Sequence, residues 1–143
     1  MTNFKTQSTT LWRVTLFTQA GYYTATGIWP IVSIESFQAV TGRKTDHLVT
    51  GREGDHWLVM TVAALIVAIG LSLLASLHSE RPSIETAVLA SSAAFALICI
   101  DVIYVTRCVL SPIYLADAAP QAIFLIVWCA YLVLERKSLL KKS

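Results

Sequence analysis

At 143 residues, with 55% hydrophobic and 14% charged side chains and a mean hydropathy of +0.63, the chain is too apolar for a soluble domain of its size. The net charge is +2, and no basic run precedes the C-terminal Lys141-Lys142, which argues against a nucleic-acid partner. Cys99, Cys108 and Cys129 form no CxxC pair, so they read as small apolar residues and not as a disulfide or zinc framework.

Charges gather in short regions separated by stretches of about 20 residues, the length that crosses ~30 Å of hydrocarbon as a helix. The expectation is an all-α integral membrane protein: a four-transmembrane-helix bundle forming one membrane domain over 1–143. Its spans are placed at 11–32, 57–77, 84–105 and 113–134. The N-terminal MTNFKTQSTTLWR has no concentrated apolar core and no A-x-A site, so it reads as a retained polar tail.

The first span is crowded with polar residues, but Trp12 and Trp29 sit where interfacial aromatics belong. Thr15, Thr18, Gln19, Tyr22 and Thr26 follow helical spacing along one stripe. In lipid that stripe must face other helices or a wet cavity, and interhelical hydrogen bonding is the simpler expectation.

An outer loop is expected at 33–56, between the first and second spans. It carries a tandem duplication, Val40-Thr-Gly-Arg-Lys-Thr-Asp-His47 followed by Val49-Thr-Gly-Arg-Glu-Gly-Asp-His56. This places two Asp-His pairs, Asp46-His47 and Asp55-His56, close in sequence. Both residue types bind zinc and other divalent ions. Adjacent Asp and His are not a recognised ligand spacing, however, and a surface loop tolerates an insertion.

The second span, WLVMTVAALIVAIGLSLLASL, holds no charge. Ala64, Ala68, Ser72 and Ser76 repeat every four residues, a ridge that lets a neighbouring backbone approach. His78, near Glu80 and Arg81 at the far surface, adds nothing to a loop metal site. Arg81-Pro82-Ser83 reads as the start of the third span, with Glu85 in the first helical turn where the helix dipole favours it. Ala87, Ser91 and Ala94 form a second small-residue ridge.

Two carboxylates interrupt the last spans, Asp101 and Asp117. Each lies about four residues inside its span, hence roughly 6–8 Å below the outer surface at 1.5 Å per residue. An ionisable group in such a segment raises a functional question. Asp101, Tyr104 and Cys108 share helical spacing, as do Tyr114, Asp117 and Gln121. The short RCVLSP connection brings both sets together and puts Arg107 within reach of either acid. Ser111-Pro112 reads as a cap with proline at the first helical position, and Pro120 predicts a kink one turn inside Asp117.

Four spans put both termini on one side. Lys5, Arg13, Arg81, Arg136, Lys137, Lys141 and Lys142 then oppose Arg43, Lys44, Arg52 and Arg107, which favours cytoplasmic termini. GIWPIVSIESFQAVTGRKTDH, WLVMTV, IDVIYV and SPIYLADAA resemble a family of small bacterial integral membrane proteins with one VTGxKxDxWLV element before the second span. Here the element occurs twice. The resemblance implies a four-helix fold in the bacterial inner membrane and supplies no catalytic residue, cofactor or substrate.

Three functions remain open on these grounds. The first is a non-enzymatic membrane module, a homo-oligomer or accessory subunit of a larger membrane complex, in which Asp101, Arg107, Asp117, Tyr104, Tyr114, Gln121, Gln19 and Tyr22 form a structural polar cluster. The second is a small-solute or proton transporter using Asp101 and Asp117 in an outward-facing cavity. The third is an enzyme or metal protein using the 46–56 loop, which no GxSxG, HExxH or glycine-rich phosphate loop supports.

Overall fold

A computed structural model describes residues 2–41, 54–79 and 81–140, with side chains described from residues 10–41, 57–79 and 81–136. Among them are five α-helices and no strand: α1 (Thr2–Val32), α2 (Ile34–Thr41), α3 (Gly54–Ala75), α4 (Ile84–Thr106) and α5 (Tyr114–Leu140). A 3-10 turn at Ser76–His78 follows α3.

Among the described residues three segments are long and apolar enough to cross a membrane: Trp57–His78, Ile84–Thr106 and Tyr114–Arg136. At 31 residues α1 is long enough. Its threonine, glutamine and tyrosine content keeps it out of that group. The expected outer loop is also partly helical. Ile34–Thr41 forms α2, and α3 already begins at Gly54, three residues before the expected span.

The helix ends follow local chemistry. Pro30 cannot donate to the carbonyl of Thr26, and α1 stops two residues later. Ser33 leaves the helical path and caps α2, its Oγ accepting from the Ser36 N–H at 3.3 Å. Trp29 secures this corner. Its Nε1 donates to Ser36 Oγ at 2.9 Å, and its ring meets Phe37 edge-on at 5.6 Å.

Ser83 caps α4 as expected, accepting from the Thr86 N–H at 3.2 Å. The other end of α4 closes through a left-handed residue, Cys108, at φ 57°. The Cys108 N–H donates to the Val105 carbonyl at 2.9 Å and the Val109 N–H to that of Tyr104 at 2.9 Å. These are the two bonds of a Schellman closure. At the entry to α5, Ser111 begins a tight turn, with the Tyr114 N–H on its carbonyl at 3.1 Å, and the helix then runs through Pro120 without interruption.

The helices associate as two antiparallel pairs, α1 with α3 and α4 with α5. Glycines set the first pair. A Cβ on Gly27 would lie 2.7 Å from Val67 Cγ2 and 2.8 Å from the Ala63 carbonyl oxygen. One on Gly70 would lie 2.6 Å from Thr24 Oγ1 and 2.9 Å from the Thr24 nitrogen. Here the two backbones touch where side chains would otherwise hold them apart.

This face of α3 differs from the ridge expected from the sequence. Ala64, Ala68 and Ser72 are exposed, while Ala63, Gly70 and Leu73 are buried against the bundle. Four-residue spacing identified a stripe but not its direction, because small residues line both sides of this helix. In α4 the inward ridge is Ala87, Ala90 and Ala94, each fully buried, with Ser91 only half-buried.

Large apolar side chains face outward on every long helix; Phe17, Phe95 and Ile126 are 62%, 58% and 69% exposed. Polar ones lie inside. Gln19 and Gln121 are 0% and 1% exposed, and Asp101 is 5% exposed.

Candidate functional site

The polar interior is built mainly from α1 and α5, which run antiparallel with Trp12 against Tyr131 at one end and Tyr22 against Asp117 at the other. Gln19 is its hub. Its Nε2 donates to the Ala90 carbonyl of α4 at 2.9 Å and to Tyr23 Oη at 3.0 Å. Its Oε1 accepts from Trp128 Nε1 at 2.6 Å. Tyr23 Oη in turn donates to Gln121 Oε1 at 2.8 Å.

The donors all run one way along this chain, from the Trp128 indole through Gln19 and Tyr23 to Gln121. An amide offers both a donor and an acceptor end, so one glutamine can join an indole, a phenol and a backbone carbonyl. Three helices meet at Gln19 as a result. Ala90 matters through its backbone: as a small residue it lets the Gln19 amide reach the α4 main chain.

Nearer the α2 end, the Tyr22 hydroxyl donates to Asp117 Oδ1. Asp101, buried on α4, lies within electrostatic reach of the same hydroxyl. Tyr22, Asp101 and Asp117 therefore form one group, drawn from α1, α4 and α5. Gln121 lies one turn from Asp117 on the same helix face and links the group to the hydrogen-bonded chain.

At the opposite end, Tyr131 Oη donates to the Pro82 carbonyl at 2.5 Å. Its ring packs edge-on to Trp12 at 5.1 Å and to Trp128 at 5.7 Å. A tyrosine here fills the core and ties the start of α4 to the end of α5.

The structure brings together Gln19, Tyr22, Asp101, Asp117 and Gln121, with Tyr114 half-buried on the same face of α5. Two other expected members, Tyr104 and Arg107, are exposed. Tyr104 is 38% exposed, three residues from buried Asp101, and the helix ends before Cys108 can continue their shared face. Arg107 is exposed at the end of α4.

The threonine stripe also behaves differently from expectation. Thr15, Thr18 and Thr26 donate to the carbonyls of Leu11, Val14 and Tyr22, one turn back within α1. A hydroxyl satisfied by its own helix needs no partner across the bundle. Only Gln19 and Tyr22 of that stripe reach other helices. Sequence spacing missed Tyr23 and Trp128, whose large rings read as core. A buried glutamine without a nearby charge was the available signal, since it demands donors and acceptors from somewhere.

Asp46 and His47 lie outside the described residues. Asp55 and His56 open α3, and their side chains lie outside the described set as well. Among the described residues no group of three or more His, Cys, Asp or Glu side chains converges on a metal position.

Comparison with family models, curated proteins and solved structures finds no match to this chain. The likeness to small bacterial membrane proteins thus rests on the quoted sequence stretches alone.

Proposed function

We propose that the chain is a four-span, non-enzymatic membrane protein, an oligomer-forming or accessory subunit whose polar interior locks its helices together. The observation that carries this reading is Gln19, fully buried and hydrogen-bonded to α4, α5 and its own helix at once. A buried amide with its donors and acceptor engaged specifies helix register and leaves little chemistry for a substrate. The outward placement of Phe17, Phe95 and Ile126 supports a lipid-facing exterior.

α1 serves as the fourth span in this reading, its length and its close contact with α3 at Gly27 and Gly70 supporting the role. The termini lie on the cytoplasmic side of a bacterial inner membrane, as the Lys and Arg distribution favours. Mass measurement after extraction in mild detergent tests the subunit assignment. A homo-oligomer or a co-purifying membrane partner is expected; a stable lone monomer overturns it.

A second reading is favoured by one observation, the meeting of Tyr22, Asp101 and Asp117. This group could bind a small solute or a proton in an outward-facing cavity. Asp101→Asn and Asp117→Asn would then abolish binding while the fold persists. Normal binding of a proton or solute in both variants eliminates that role.

A further inference from the structure

The expected span with the lowest apolar content is also bonded to its neighbours through polar side chains. α1 is long enough to cross a bilayer, yet among the described residues only α3, α4 and α5 with their flanks are apolar enough to do so by composition. We infer that α1 enters the membrane through its contacts with α3, α4 and α5 and not through its own hydropathy. This inference rests on the four-span reading above.

The polar groups of α1 fall into two classes. Thr15, Thr18, Thr24 and Thr26 bond to carbonyls of α1 itself, so their hydroxyls are satisfied in any environment that keeps the helix. Gln19, Tyr22 and Tyr23 are different. They bond to Ala90, Trp128, Asp117 and Gln121, all on helices that come later in the chain.

In hydrocarbon a polar group without a partner is costly, and no water is present to replace it. Alone in lipid, α1 leaves those three side chains without their partners. Beside the finished α3–α5 set, each has one. The glycine contacts act in the same direction: at Gly27 and Gly70 the α1 backbone gains packing only when α3 is already in place. The segment made first therefore enters last.

The test uses the full-length chain with Cys99→Ala and Cys129→Ala. Cys108, exposed in the turn after α4, is kept as a fixed reference thiol. Thr2→Cys supplies the second thiol, and a membrane-impermeant maleimide is applied to right-side-out and inverted vesicles. In this parent the two thiols are expected on opposite faces. Adding Gln121→Leu with Trp128→Phe should move the position-2 thiol to the Cys108 face in most molecules. A further Gln19→Leu, Tyr22→Phe and Tyr23→Phe, which removes the partner-dependent polar groups and makes α1 more apolar, should return it.

The outcomes separate cleanly. Two thiols on one face in the parent overturn the four-span reading itself. A position-2 thiol that stays in place after Gln121→Leu and Trp128→Phe overturns partner-driven entry while leaving four spans intact. A displaced thiol that the more apolar α1 does not return overturns it as well, because the defect then lies elsewhere than in the insertion of α1.

Discussion

Gly27 and Gly70 show what a single hydrogen in place of a methyl does for this bundle. Each lies where an added Cβ would meet backbone atoms of the partner helix below 3.0 Å, so the helices would have to separate. Gly27→Ala and Gly70→Ala should each destabilise the bundle by about 1–3 kcal/mol, the usual range for overpacking. Gly21 is the matched control on the same helix, where an added Cβ would meet nothing within 4 Å. Gly21→Ala should therefore stabilise by roughly 0.5–1 kcal/mol through helix propensity. Reversible unfolding in detergent micelles distinguishes the opposite signs.

Cys108 provides a second test at this scale. A non-glycine residue at φ 57° holds a left-handed conformation that L-residues disfavour by about 1–2 kcal/mol. Cys108→Gly should recover roughly 1 kcal/mol, and Cys108→Val should lose a similar amount because β-branching worsens the clash. The same micellar unfolding measurement reads both. The cysteine spacing carried no sign of this role: the left-handed position follows from how α4 ends, which an isolated thiol does not announce.

Between elements, the α1–α5 seam is where pairwise energetics can be measured. Gln19→Leu removes three hydrogen bonds and leaves the Trp128 N–H and Ala90 carbonyl without their partner. Trp128→Phe removes one of those bonds with its donor. A double-mutant cycle should show the two changes to be non-additive by about 0.6–1.7 kcal/mol, from the average to the maximum found for interhelical bonds in membranes. Strict additivity would mean that the indole and the amide do not act together.

The element boundaries were legible where their chemistry is local. Ser83 caps α4, and the uncharged run of α3 starts and stops near its expected limits. α2 was hidden because Ile34–Thr41 is a short helix bordered by a duplication that reads as loop. The orientation of the α3 ridge was hidden for another reason. Small residues at Ala64, Ala68 and Ser72 and at Ala63 and Gly70 mark two different faces, and only the partner helix chooses between them.

For the whole molecule, composition alone was enough to expose the apolar class, and the three apolar helices agree with it. The acid pair was legible in part. Asp101 and Asp117 lie toward the same end of the α4–α5 pair, and it is Tyr22 and not Arg107 that the structure sets against Asp117. Sequence proximity favoured the arginine; the antiparallel packing of α1 on α5 supplied the tyrosine. With so many large apolar side chains facing outward, removal of detergent should precipitate the chain, whereas transfer to lipid nanodiscs should keep it dispersed. Light scattering reads the difference.

The corner at Trp29 has a mechanical consequence. Its indole is fastened to Ser36 and braced by Phe37, so α2 cannot swing freely about Ser33. α1 and α2 form a bent lever with Trp29 at the elbow. Tyr22 lies about two turns along the long arm. A torque applied to the short arm would reach the Tyr22–Asp117 contact through the turn between Thr26 and Pro30, where the proline removes one helical bond.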